Sequence, residues 1–199
     1  SIKNAVIQEA MNIIADRIPI EDAEEQPAPD PEPSDIETEP ILTDEEKNPL
    51  MWKYYRQAKY LLDKDSEAYD PNTAVEFLIE SAKLGCGASK YRLGKMFLRG
   101  DEVVKNIDYA LLWLEESAAE QNPYAEYLLG KTLLKGEDVE QDFLRAEDLL
   151  RRSSAQGNRY AKYTLGKTLL DGELFLQNIP EAIKLITESA DDGFAPAQY

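Results

Sequence analysis

The feature that most constrains the fold of this chain is an internal repeat with a period of 36 residues. The tripeptide Leu-Gly-Lys occurs three times at that spacing, at 93–95, 129–131 and 165–167. Three other sets keep the same step, and they are Tyr91, Tyr127, Tyr163 and Tyr199; Gly100, Gly136 and Gly172; and Ala74, Ala110, Ala146 and Ala182. A fixed period of this length is typical of arrays in which each unit packs against its neighbours. The sequence therefore predicts a stacked repeat array.

Each unit has the pattern of two helices, helix A and helix B. Helix A is expected at about 52–63, 88–99, 124–135 and 160–171, and each of the last three copies precedes a Gly that suits a left-handed C-cap. Helix B is expected at about 71–84, 107–120, 143–156 and 179–192, where apolar residues such as Ala110, Trp113 and Ala118 recur at helical spacing. The expected N-caps of the B helices are Asp70, Asn106, Asp142 and Asn178.

Three glycines inside the predicted A helices, Gly94, Gly130 and Gly166, indicate close packing. A Gly within a helix costs about 1 kcal/mol relative to Ala, so its recurrence in register indicates that another helix backbone passes too close for a side chain. A single hairpin cannot bury its apolar face, whereas a stack buries a continuous core. The expected fold is all-α, a right-handed α-solenoid of stacked antiparallel helical hairpins with units at 52–87, 88–123, 124–159 and 160–195.

The repeat also resembles a known family. The residues that carry this resemblance are Ala125, Leu129, Gly130, Gly136, Val139, Ala146, Leu150 and Gly157, and together they are similar to the Sel1-like repeat, a relative of the tetratricopeptide repeat. The chain departs from the pattern at Gln121 and Ser154. The first unit has Gln57-Ala58 in place of Leu-Gly, as a terminal capping unit would. The resemblance covers 88–199 and, more loosely, 52–87, and it implies a non-enzymatic scaffold or adaptor for protein–protein interaction.

The first 48 residues differ in kind from the array at 49–199. Residues 1–20 are predicted to contain a short amphipathic helix at 3–17, whose apolar face would cover the solenoid, another chain or a neighbouring domain. Residues 21–48 are predicted to be an acidic, Pro-rich linker, because 21–46 contain 12 acidic residues, no basic residue and five prolines. Such a composition favours a disordered tether. The first residue is Ser1 rather than Met, and we expect the chain to be a piece of a longer protein.

The residue inventory disfavours several classes of function. The chain has no His, no Cys pair, no phosphate-binding or dinucleotide-binding Gly motif and no Ser followed three residues later by Lys, so no catalytic residue, cofactor, metal or small-molecule substrate is predicted. The net charge of −17 disfavours binding to nucleic acid. No run of 18 apolar residues predicts a membrane span. The single cysteine, Cys86, favours a reducing, cytoplasmic location.

Charge is distributed unevenly over the predicted repeats. The four A helices contain 11 basic and three acidic residues, although 51–199 as a whole has a net charge of −6. Helix A usually lines the inner face of such arrays, so a basic concave face on an acidic shell is expected. Its candidate partner-binding residues are Tyr91, Lys95, Arg99, Tyr124, Tyr127, Lys131, Lys135, Tyr160, Tyr163 and Lys167. The alternatives are packing between hairpins for Tyr91, Tyr127 and Tyr163, and plain solvation for the lysines; Tyr124 and Tyr160 are the better groove candidates.

The leading interpretation is an adaptor whose concave helix-A face binds an acidic or extended peptide of a partner protein. A sharper variant has residues 21–46 dock there, in cis or on a second copy. The alternative is a resemblance in layout to the C-terminal region of relaxases, the mobilisation nucleases of Gram-positive mobile elements, in which this segment would recruit partners for an enzyme encoded upstream. The sequence identifies neither the partner nor the oligomeric state.

Overall fold

The computed structural model describes residues 48–100, 102–194 and 197, and the predicted N-terminal helix and acidic linker lie outside these residues. The described residues form eight α-helices and no strand. In chain order they are α1 Pro49–Leu61, α2 Pro71–Lys83, α3 Gly87–Arg99, α4 Ile107–Ala119, α5 Pro123–Lys135, α6 Phe143–Ala155, α7 Arg159–Asp171 and α8 Ile179–Asp191. The odd-numbered helices are the A helices and the even-numbered ones the B helices. The predicted all-α solenoid of helical hairpins is confirmed.

The helix bounds agree with the local sequence signals, except at the first helix. The three later A helices and all four B helices begin and end within one residue of the predicted positions. Helix α1 begins three residues earlier than expected, because the Asn48 side chain accepts a hydrogen bond from the Met51 N–H at 3.2 Å and Pro49 opens the helix. The predicted caps of the B helices all accept backbone N–H bonds, and they are Asp70, Asn106, Asp142 and Asn178.

The glycines inside the A helices lie against the backbone of helix B, as the repeat pattern predicted. A Cβ atom built on Gly130 would lie 3.2 Å from the carbonyl oxygen of Ala146. On Gly94 it would lie 2.6 Å from the Leu114 side chain and 3.2 Å from the carbonyl oxygen of Ala110. The repeated Ala of helix B lies on the other side of this contact, and its small side chain allows the two helix backbones to approach closely.

A second contact within each hairpin was not predicted from the sequence. Four buried serines of the B helices donate their hydroxyls to backbone carbonyls in the first turns of the A helices, at 2.6–3.0 Å. They are Ser81, Ser117, Ser153 and Ser189, each with no exposed surface. Their 36-residue step was the available signal, but a column of serines does not by itself show which atoms it meets. The bonds fix the crossing of helix B over the start of helix A.

Successive hairpins stack into one array. Each B helix packs on the next A helix, and A helices also contact each other directly, α3 with α5 and α5 with α7. Helices α3, α5 and α7 therefore form one continuous surface, and together with α1 they are called the helix-A face below. In the part of the chain that the structure describes, no helix is both long and apolar enough to cross a lipid bilayer.

Candidate protein-binding face

The helix-A face carries one lysine from each A helix in the same repeat position. These lysines are Lys59, Lys95, Lys131 and Lys167, and each lies four residues after a tyrosine of the series Tyr55, Tyr91, Tyr127 and Tyr163. Because residues four apart lie on the same side of a helix, each lysine lies next to its tyrosine. Stacking of the hairpins turns the two series into parallel rows along the array.

The tyrosine row packs between hairpins more than it faces solvent. Tyr91 and Tyr127 are only 2% and 3% exposed. Their rings lie against tyrosines of the next A helix, with centroids 6.0 Å apart for Tyr91 and Tyr124 and 5.8 Å apart for Tyr127 and Tyr160. Burial raises the pKa of the Tyr91 hydroxyl above its ordinary value. These rings therefore form a rigid floor beneath the face.

The two tyrosines at the start of A helices differ in exposure. Tyr124 is half-buried, whereas Tyr160 is 5% exposed and packs in the last core cluster against Phe194, 5.1 Å between centroids. The ring of Tyr160 is thus a packing element, and its hydroxyl accepts a hydrogen bond from Arg159 at 3.2 Å. A cavity of about 310 Å³ opens beside both tyrosines and is lined by Tyr124, Gly157, Asn158, Arg159, Tyr160 and Asp192.

The cations of the face differ in how far they reach into solvent. Lys95 is 8% exposed. Lys131 is half-buried, with its ammonium group 5.9 Å from the centroid of the Tyr127 ring. Lys167, Arg99 and Lys135 are exposed. Tyr163 is half-buried and packs on Phe194. The structure thus places the ten candidate residues on three neighbouring A helices, where they differ widely in exposure.

Two other lysines of the A helices are held inside their own hairpins. Lys90, the fourth residue of α3, contacts Glu120 at 2.6 Å and Glu116 at 3.2 Å on α4. Lys162, the fourth residue of α7, contacts Asp192 at 2.7 Å and Glu188 at 3.5 Å. Hydrogen bonding to Asp192 raises the pKa of Lys162 despite its burial. We call this set of contacts between the fourth residue of helix A and helix B a clasp.

The clasp of the third unit has the opposite polarity. Its helix-A residue is the buried Glu126, which accepts hydrogen bonds from Arg152 and, at 2.7 Å, from Gln156 on α6. Arg152 also donates to the carbonyl oxygen of Ala118 in the preceding hairpin at 3.1 Å. Burial raises the pKa of the Glu126 carboxyl, and the hydrogen bond from Arg152 offsets only part of that effect. The clasps were not predicted from the sequence, because their pairing requires the register of the hairpin.

The clasps reduce the positive charge that the face can offer to a ligand. Besides Lys90 and Lys162, Arg92 lies 3.4 Å from Glu102. The other basic residues of the A helices are Lys53, Arg56, Lys59, Lys95, Arg99, Lys131, Lys135, Arg159 and Lys167, and Lys135 lies 3.9 Å from Glu137. Of the two carboxylates on these helices, Glu126 is buried in its clasp and Asp171 lies at the end of α7. The helix-A face is therefore strongly basic even though the chain is acidic.

The described residues hold no group of three or more side chains placed to bind a metal ion. Buried polar side chains such as Asn158, Glu126 and Ser81 take part in caps, clasps and serine contacts, which are contacts within the array.

Comparison with known proteins agrees with this architecture. The family model of the Sel1 repeat matches residues 54–86, 87–122, 123–158 and 159–194. A Sel1 repeat protein from Oxalobacter formigenes superimposes with a TM-score of 0.68 at 22% identity, over 74% of this chain and 60% of that one. A protective antigen of uropathogenic Escherichia coli with an SLR fold gives 0.68 at 18% identity, over 76% of this chain and 32% of that one. We found no significant match among curated proteins.

These likenesses show a shared fold, and this chain spans less than two thirds of the length of either solved relative. Sel1 repeat proteins are generally scaffolds for protein interaction, and the fold is typically non-catalytic. Four consecutive matched repeats, which cover most of the chain, establish that this protein belongs to the Sel1 repeat family.

Proposed function

We propose that the helix-A face binds an acidic, extended segment of a partner protein. The observation that carries this proposal is the row of lysines 59, 95, 131 and 167, one on each A helix, outside the clasps that hold Lys90 and Lys162. The row recurs at the repeat period, with Lys59 and Lys167 exposed, Lys131 half-buried and Lys95 8% exposed. A ligand of matching period would approach one cation in each unit.

The spacing of the row fits an extended chain. Packed helices lie about 8–10 Å apart, and a polyproline II chain, which has three residues per turn, rises about 3.1 Å per residue. A carboxylate at every third residue of the ligand would therefore meet one lysine in each successive hairpin. A peptide in this arrangement follows the array and does not need to fold.

The expected affinity depends on charge more than on apolar contact. The tyrosine rings beneath the lysines are largely buried, at 2% and 3% exposure for Tyr91 and Tyr127, so they add little surface to a ligand. Exposed ion pairs contribute about 0.2–1 kcal/mol each and weaken with salt. Several units acting together are thus needed for a measurable affinity.

Fluorescence polarisation with a labelled acidic peptide tests the proposal. The probe is a 12-residue peptide with Glu at every third position and Pro, Ser and Thr between, and the protein is the full chain. Lys95→Glu/Lys131→Glu/Lys167→Glu should weaken binding by at least about tenfold, since each contact becomes a repulsion.

The matched control is Lys64→Glu/Lys83→Glu/Lys184→Glu, which makes the same change in net charge at exposed positions outside the A helices. It should bind nearly as well as the wild type. Equal losses in both variants would attribute the binding to net charge and contradict a specific face.

A further inference from the structure

We propose that the acidic segment 21–46 of the same chain occupies the helix-A face and must be displaced by an external ligand. The inference rests on the proposed function, because it assigns an internal competitor to the same surface. Its basis is the charge on the two sides of the contact. The four A helices carry 12 basic and two acidic residues, and the segment has 12 acidic residues and no basic one.

The segment is attached to the first helix of the face. Residue 46 is two positions before Asn48, which caps α1. Helix α1 presents the exposed basic residues Lys53, Arg56 and Lys59. The segment therefore joins the array next to three basic residues of the face.

The segment is long enough to cover the whole face. Four A helices at about 8–10 Å per packed pair span less than about 30 Å. The 26 residues of the segment reach up to about 85 Å when fully extended. Attachment in cis also gives the segment an effective concentration on the order of millimolar, so weak ion pairs that would not hold a free peptide suffice to hold it.

The residue pattern of the segment suits a charged, linear contact. Five prolines favour an extended chain. Glu32 and Asp35 lie three residues apart, and side chains at that spacing share one side of a polyproline II chain. These two carboxylates would face the lysine row together. An external acidic ligand then binds only in competition with them. A partner therefore needs an affinity high enough to displace the segment.

The test compares binding of a free peptide to full-length variants. The probe is a fluorescein-labelled peptide with the sequence of residues 28–43. The tether-neutral variant is Asp30→Asn/Glu32→Gln/Asp35→Asn/Glu37→Gln/Glu39→Gln. The control is Glu67→Gln/Glu76→Gln/Asp108→Asn/Glu140→Gln/Asp191→Asn, which neutralises five exposed carboxylates outside the A helices and changes the net charge equally.

The tether-neutral variant should bind the probe at least about tenfold more tightly than the wild type, and the control variant should stay close to the wild type. The difference in affinity should shrink at 0.5 M NaCl, because the Debye length there is only about 4 Å and the charges are screened. Adding Lys95→Glu/Lys131→Glu/Lys167→Glu to the tether-neutral variant should abolish tight binding.

Two results would overturn the inference in different ways. If the wild type and the tether-neutral variant had equal affinities while the lysine variant was still weakened, the helix-A face would remain a binding site. The segment would then bind elsewhere. If the probe bound to none of the variants, both the proposed acid-binding function and this inference would be wrong. A wild-type affinity that changes with protein concentration, alongside dimers in sedimentation, would show docking on a second copy and contradict a contact in cis.

Discussion

At the scale of single residues, the connection between α4 and α5 holds a side chain in a backbone conformation that suits glycine. Gln121 has φ +62°, and its equivalents in the other units are Gly85, Gly157 and Gly193. The left-handed region costs an L-residue about 1–2 kcal/mol. We expect Gln121→Gly to raise the free energy of unfolding by about 1 kcal/mol, measured by urea denaturation.

The reciprocal change gives the control. A Cβ on Gly157 would meet nothing within 4 Å, so Gly157→Ala should lower the free energy of unfolding by a similar amount through the backbone alone. An unchanged urea midpoint for Gln121→Gly, beside a clear loss for Gly157→Ala, would contradict the assignment of strain to Gln121.

Glu126 gives stability a pH dependence at the same scale. Burial raises the pKa of its carboxyl in the folded state. The folded protein then binds this proton more readily than the unfolded chain, so the contribution to stability is highest below the ordinary pKa of about 4.3 and is lost as pH rises through the raised value. Glu126→Gln lacks this loss. The difference in unfolding free energy between variant and wild type should therefore shift in favour of the variant from about pH 4 to pH 7.

Urea denaturation at several pH values measures that difference. Glu76→Gln, at an exposed position on α2, serves as the comparison and should give a nearly constant difference from the wild type. A constant difference for Glu126→Gln as well would show that Arg152 and Gln156 compensate the burial of Glu126 completely.

At the scale of elements, the reversed clasp makes the pairing of α5 with α6 specific. Glu126→Lys alone would place a buried ammonium group against Arg152, and we expect a loss of about 3–5 kcal/mol. The triple change Glu126→Lys/Arg152→Glu/Gln156→Glu reproduces the clasp of α3 with α4, and it should restore stability to within about 1 kcal/mol of the wild type. Thermal and urea unfolding of both variants measure these changes in stability. A triple variant as unstable as the single one would mean that the clasp depends on neighbours outside its hairpin.

The same scale shows what the sequence could predict. The sequence predicted the caps, the helix lengths and the packing role of Gly94. Each of these depends on residues close in sequence or on one position that recurs in every repeat. The clasps were not, because Lys90 and Glu116 become neighbours only when the hairpin closes. A signal was present nonetheless: the column of Lys90, Glu126 and Lys162 alternates in sign, and so does the column of Glu116, Arg152 and Glu188.

At the scale of the whole molecule, the repeat period was enough to predict the solenoid, whereas the arrangement of side chains on the helix-A face is seen only in the structure. The composition of the A helices predicted the positive charge of the helix-A face. Only the structure separates lysines held in clasps, such as Lys90, from lysines on the face, such as Lys167. It also shows that the ring of Tyr160 is packed in the core. The acidic ligand and the resemblance in layout to the C-terminal region of relaxases stay predictions, since fold likeness at 22% identity carries no partner.

The array should also open unevenly, because terminal repeats have one neighbour and inner repeats have two. Helix α1 ends without a left-handed Gly cap, and the buried Trp52 indole N–H has no hydrogen-bond partner among the described residues. Hydrogen exchange followed by mass spectrometry should find the lowest protection in α1 and α2 and the highest in α5 and α6. Trp52→Phe should raise protection of α1 and α2 selectively, since it removes the unpaired donor. Uniform protection along the chain would show instead that the four hairpins unfold as one cooperative unit.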